Sequence, residues 1–191
     1  MRQGSCPACR PGVRLVRARL AGQRGGTRCG SAVAPGSTFE QSAVDRERLK
    51  LVSGYLSQLT AEACSRAGIR PGAHAIDVGS GQMGALPVSG EMVGPSGVVV
   101  GLDDSPDALA AARAGLTSLG LNAVHLVEAD INTLEPDVLA AWAPFDIAVC
   151  RLLLVHQRDP VGTLRAVTRL MRPGGRIIAM EPLRDDCFPR V

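Results

Sequence analysis

An α/β fold, with a parallel sheet covered by helices on both faces, is predicted by three features of the sequence. Short apolar runs alternate with helical patterns from about residue 73 onward. The first of these runs, Ala75-Ile76-Asp77-Val78, stops at Gly79-Ser80-Gly81, as a buried strand does when it ends in a tight turn. Two helix starts, Ser105-Pro106 and Asp159-Pro160, set a capping side chain before a proline at the first helical position.

In chain order, residues 1–38 come first, rich in Arg, Gly, Ser and Pro and without a persistent apolar period; they are expected to be a disordered tail. Residues 39–72 form a helical lead. Leu49, Val52, Leu56 and Leu59 make one stripe at spacings of three and four, and Gly68 and Pro71 end it. The core occupies 73–191. Its candidate strands are 74–78, 98–103, 123–128, 145–150 and 176–181, and its candidate helices lie near 84–93, 106–119, 136–142 and 160–171. Right-handed crossovers with one reversal after the third strand give the order 3-2-1-4-5. A ligand then lies at the carboxyl ends of the first and fourth strands, where Gly79–Gly81 fall.

Charge is divided unevenly. Residues 1–38 hold seven arginines and no acid, whereas the remainder holds 14 basic and 18 acidic residues. A body of net −4 is no platform for nucleic acid, and no nucleic-acid partner is expected. No apolar run reaches the ~18 to 20 residues of a membrane span, so no membrane partner is expected either. Six scattered cysteines, of which only Cys6 and Cys9 form a CxxC pair, fit free thiols in a cytoplasmic protein without a metal site.

Asp77 narrows the ligand. A carboxylate two residues before the first glycine repels a pyrophosphate but suits ammonium and sulfonium charges, which favours S-adenosylmethionine (SAM) over a dinucleotide. The competing pattern is Gly79-x-Gly81-x-x-Gly84 with Asp103 and Asp104 downstream, which also fits a dinucleotide fold.

In order along the chain stand Ile76-Asp77-Val78-Gly79-Ser80-Gly81, Val98–Asp103, Val127-Glu128-Ala129-Asp130-Ile131, Phe145–Arg151 and Met171-Arg172-Pro173-Gly174-Gly175-Arg176. This series resembles the class I SAM-dependent methyltransferases, in particular the ubiquinone/menaquinone C-methylase-like branch, over roughly residues 45–182. The resemblance implies a Rossmann-like, doubly wound sheet. It places Gly79, Ser80 and Gly81 under the methionine part of SAM, with Asp77 organising its amino end. It puts Asp103 on the ribose hydroxyls, with Asp104 competing for that role. Asp130 and the backbone of Ile131 then border the adenine. Arg151 follows the fourth strand, where it pairs with the SAM carboxylate, with an acidic acceptor, or with a surface acid. His156 is the one candidate general base, set against a packing role. Cys150 and Cys64 are expected to be core thiols.

Three departures from the family pattern stand out. Met83 replaces the third glycine. Pro87 falls in the following helix, tolerable only in its first turn. The usual hairpin of strands six and seven is lacking before Val191, which leaves the edge beside the fifth strand open to solvent or to a second copy, as a homodimer. The expected function is methyl transfer from SAM to a small-molecule acceptor; the alternative is a truncated, silent SAM-fold module completed by a partner.

Overall fold

The computed structural model describes residues 14–20 and 56–182, apart from Asn122. Six strands form one sheet: β1 (Arg14–Leu20), β2 (His74–Val78), β3 (Val98–Asp103), β4 (Val124–Glu128), β5 (Phe145–Arg151) and β6 (Met171–Pro182). Their order is β1-β6-β5-β2-β3-β4, and every pair is parallel. The five predicted strands are therefore β2 to β6 in the predicted order 3-2-1-4-5. The reversal lies between β2 and β5, which pair from Ala75↔Ile147 to Val78↔Cys150.

Side chains alternate across the sheet, as the period of two requires. Ala75, Val99, Ile147, Val149 and Ile178 belong to one apolar cluster, packed with Ala63, Cys64 and Ala67 of α1 (residues 56–67), Leu86 and Val93 of α2 (Leu86–Val93) and Leu116 of α3 (Pro106–Ser118). Ile76, Val100, Ala148, Cys150 and Ile177 belong to the other, under Ala166 and Val167 of α4 (Pro160–Arg169). The two capping pairs act as predicted. Ser105 accepts from Ala108 N–H at the start of α3, and Asp159 from Gly162 N–H at the start of α4. Pro87 lies in the first turn of α2, where its missing N–H has no helical partner to lose.

Three expectations change. Within the predicted tail, Arg14–Leu20 forms β1 and pairs with β6 over seven positions, Arg14↔Arg176 to Leu20↔Pro182. The edge that the sequence leaves open to a second copy is thus occupied by β1, whose pairing satisfies backbone groups of β6. The rest of 1–38, including Cys6 and Cys9, lies outside the described residues, as do Leu49 and Val52 of the helical lead. The helix predicted at 136–142 is only a 3₁₀ turn, Pro136–Leu139. The fifth predicted strand begins earlier, at Met171, but with a break in register. Phe145 pairs with Met171 and Ile147 with Arg176, so the Pro-Gly-Gly turn bulges from the ladder beside Asp146, which forms an ion pair with Arg172.

Candidate functional site

The chain leaves β2 through a turn held by its neighbours' backbones. Gly79 and Ser80 donate their N–H groups to the Leu102 carbonyl at 2.8 and 3.0 Å. Gly81 N–H donates to Asp103 Oδ2 at 2.7 Å, while Asp103 Oδ1 accepts from Ser105 N–H at 3.0 Å. Gly79, Gly81 and Gly84 all take positive φ, at 71°, 54° and 41°. They differ in surroundings. A Cβ on Gly81 would meet nothing within 4 Å, so this turn borders open space. A Cβ on Gly79 would stand 2.8 Å from Leu153 Cδ1, and one on Gly84 would overlap Asp77 Oδ2 and the Ser80 carbonyl.

The family's third glycine position is thereby reassigned. The Met83 thioether packs against α3, close to Gly115. Gly84, one residue on, makes the close approach that only a glycine can make here.

Asp77 is the electrostatic centre of the turn. It is 1% exposed, and its Oδ2 accepts from Ala85 N–H at 2.5 Å. Its Oδ1 is buried and finds no hydrogen-bond partner among the described residues; the same holds for Ser80 Oγ. Burial raises the carboxyl to about 7, opposed by the Arg151 charge and the Ala85 hydrogen bond and assisted by Asp103. A buried acid with one oxygen unsatisfied is what a small cationic group would complete. That fits the ammonium end of SAM and disfavours a phosphate.

Arg151 is buried at the end of β5, not a surface ion-pairing residue. Its Nη2 donates to the Gly84 carbonyl, and its Nη1 lies 3.4 Å from Thr60 Oγ1 on α1. Burial lowers the guanidinium from its ordinary value, and the Asp77 charge acts the other way. Asp104 is exposed beside the half-buried Asp103, so Asp103 is the one built into the turn. Asp130 is exposed at the exit of β4 and accepts from the backbone and side-chain N–H groups of Asn132, whereas Ile131 is buried. The two strand exits meet where Ala129 N–H donates to the Asp103 carbonyl at 3.0 Å.

Beyond β5 the chain turns through Leu152, the one described non-glycine residue with positive φ, at 56°. A 3₁₀ turn, Leu154–His156, follows. Glu181 at the end of β6 holds this turn, accepting from Leu153 and Leu154 N–H at 3.0 and 2.8 Å. Its other oxygen is buried and finds no hydrogen-bond partner among the described residues, and burial raises the carboxyl above its ordinary value. His156 is exposed on this turn, close enough to Glu181 for their charges to interact. Sequence reasoning missed Glu181, although an acid closing the apolar run Ile177–Met180 repeats the pattern of Asp103 closing β3. The thiols at Cys64 and Cys150 are buried and pushed upward, Cys64 to about 12. Neither is poised as a nucleophile.

A glycine turn at the reversal of a parallel α/β sheet, with strand-end acids on both sides, defines a nucleoside-type ligand site at the carboxyl ends of the strands. The methyltransferase-domain family profile matches residues 69–189, and the chain belongs to that family, the class I SAM-dependent methyltransferases. Among curated relatives, the demethylmenaquinone methyltransferase of Bacillus cytotoxicus is 31% identical over 113 residues, 59% of this chain and 46% of the relative. The ubiquinone/menaquinone biosynthesis C-methyltransferase of Pseudomonas syringae pv. tomato is 30% identical over 134 residues, 69% of this chain and 50% of the relative. The chain spans about half the length of these relatives. A SAM-dependent methyltransferase from Aquifex aeolicus shares the fold with a TM-score of 0.61 at 22% identity, covering 76% of this chain and 78% of that one. The N-terminal domain of EvdMO1, solved with S-adenosylhomocysteine (SAH) bound, matches with a TM-score of 0.50 at 28% identity, covering 62% and 49%. Membership of this family sets aside the dinucleotide alternative. Among the described residues no helix is long and apolar enough to cross a membrane.

Proposed function

We propose that this chain carries the cofactor-binding and methyl-transferring core of an enzyme that methylates a small organic acceptor. The observation that carries the reading is the buried, half-satisfied Asp77 beneath a glycine turn that borders open space. In this reading Asp77 receives the ammonium group, the Gly79–Gly81 backbone lies along the methionine part, and Asp103 holds the ribose diol. Asp103 can do so while keeping Gly81 and Ser105, because each carboxylate oxygen has two acceptor sites. Asp130 and Ile131 border the adenine. Bound SAM supplies a methyl group already activated by its sulfonium centre.

The protein's own contribution is therefore alignment, exclusion of water and acceptance of a proton. The acceptor approaches from the β5 and β6 exits, where Leu152–His156 and Glu181 stand. His156 is exposed there and takes the proton of a hydroxyl acceptor. The names of the relatives support quinol-like or other hydroxylated ring acceptors. Buried free thiols at Cys64 and Cys150 support a reducing, cytoplasmic setting.

The test is calorimetric titration of the full chain with SAM, SAH and NAD⁺, followed by mass spectrometry of products from a panel of hydroquinones and phenols. Saturable binding of the first two, with mass gains of one methyl group on a panel member, is the expected outcome. A folded chain that binds neither would refute the reading.

A further inference from the structure

One peptide group in the cofactor turn is gripped at both ends by buried ions. The unit between Gly84 and Ala85 presents its carbonyl to Arg151 Nη2 and its N–H to Asp77 Oδ2. The cation is at the end of β5, the anion is on β2, and both are nearly inaccessible, at 9% and 1% exposure. Gly84 is what allows the peptide to pass between them, since any Cβ there would overlap Asp77 Oδ2. The guanidinium also reaches Thr60 Oγ1, itself anchored to the Leu56 carbonyl at 2.8 Å on α1. Arg151 thus ties together the cofactor turn, the sheet and the first helix.

The groups that act electrostatically on Asp77 come from three sides. Arg151 on β5 attracts it, Asp103 at the end of β3 repels it, and Cys64 on α1 and Cys150 on β5 are protonated thiols at neutral pH because burial pushes both far up. Arg151 is the one cation among these. An arginine keeps its proton at this depth where a lysine would tend to lose it, so the counter-charge is permanent.

We propose that Arg151 is a positioning residue that holds the end of the cofactor turn through the Gly84 carbonyl and favours the anionic form of Asp77, the form that receives the cofactor's ammonium group. This rests on the reading of Asp77 given above and assigns Arg151 to the turn instead of to the SAM carboxylate or to the acceptor. Two consequences follow. Cofactor affinity falls as pH drops and Asp77 gains its proton, and Arg151 sets the pH at which this happens. A ligand with adenosine but no ammonium, such as methylthioadenosine, lacks the dependence.

The experiment is calorimetric titration of the full chain with SAH and with methylthioadenosine between pH 5.5 and 9, on the wild type, R151M, R151K and D77N. Wild-type SAH affinity is expected to fall toward tenfold per pH unit on the acid side, while methylthioadenosine affinity stays flat. R151M is expected to move the SAH midpoint upward by roughly one pH unit, the effect of removing one neighbouring opposite charge. R151K, which lacks the guanidinium fork and at this depth tends to lose its proton, is expected to lose roughly three- to tenfold in affinity, with faster hydrogen exchange at the Ala85 amide. R151M with the wild-type midpoint would overturn the proposal, and so would R151K with wild-type affinity and wild-type Ala85 exchange. If R151M does not fold, the R151K comparison decides alone. D77N separates the two readings. Loss of SAH binding and of its pH slope supports the role of Asp77, whereas D77N binding as tightly as wild type would remove that role and the inference with it.

Discussion

Replacing Asp77 by Asn is expected to stabilise the protein at alkaline pH while weakening its cofactor site. The carboxyl is raised from 3.8 to about 7 in the folded chain, mainly by burial. Between those values the folded state holds a proton that the unfolded state has released. Stability therefore falls as pH rises from about 4, and the loss is complete above about 7. A shift of about three units corresponds to about 4 kcal/mol at pH 8, and to about 2 kcal/mol already at pH 5. Because Asn resembles the neutral acid, this includes the loss of attraction to Arg151. Asn can still accept from Ala85 N–H, but its amide group replaces the unpartnered Oδ1 and leaves a buried donor unsatisfied, costing about 1–3 kcal/mol. D77N should then exceed the wild type by about 1–3 kcal/mol at pH 8, with the difference shrinking by about 2–3 kcal/mol at pH 5. Urea unfolding of both proteins without ligand at the two pH values reads this directly. A difference that does not change with pH would refute the reasoning, because it would mean that Asp77 titrates alike in the folded and unfolded chains.

Three further outcomes are expected. G81A and G84A should separate cofactor binding from folding. Gly81 borders open space, so G81A costs only the ~1–2 kcal/mol of a left-handed backbone, while G84A adds overlap with Asp77 and Ser80 for a total of about 2–5 kcal/mol; equal melting temperatures for the two would contradict the structure. D103A should weaken SAM binding by about 1–3 kcal/mol in calorimetry, since it frees the Gly81 and Ser105 N–H groups as well as any ribose contact; unchanged affinity would reject both roles. E181A should cost about 1–3 kcal/mol in urea unfolding by stranding the Leu153 and Leu154 N–H groups, with E181Q recovering most of it; an unaffected E181A would show that the turn holds itself.

The sheet and its order were legible because each strand announces itself locally. Short apolar runs mark β2 to β6, cap-plus-proline pairs mark α3 and α4, and an acid followed by glycines marks the turn that leaves β2. What the sequence by itself determined is this frame and the chemistry of its strand ends: Asp77, Asp103 and the glycines between them. Tertiary structure alone decided how polar groups pair across it. Arg151 reads as a mouth residue along the chain, but it becomes the buried cation behind Gly84, 67 residues away. Met83 and Gly84 are adjacent in sequence, and only the position of Asp77 and of α3 settles which of them approaches the turn and which packs away. The pairing of β1 with β6 joins Arg14 to Arg176, and a parallel partner so distant leaves no local pattern in an arginine-rich segment. The physical reason is common to all three. Backbone periodicity and turn chemistry are properties of neighbours in sequence, whereas the desolvation of a charge and the partner of a strand edge depend on what the folded chain brings alongside.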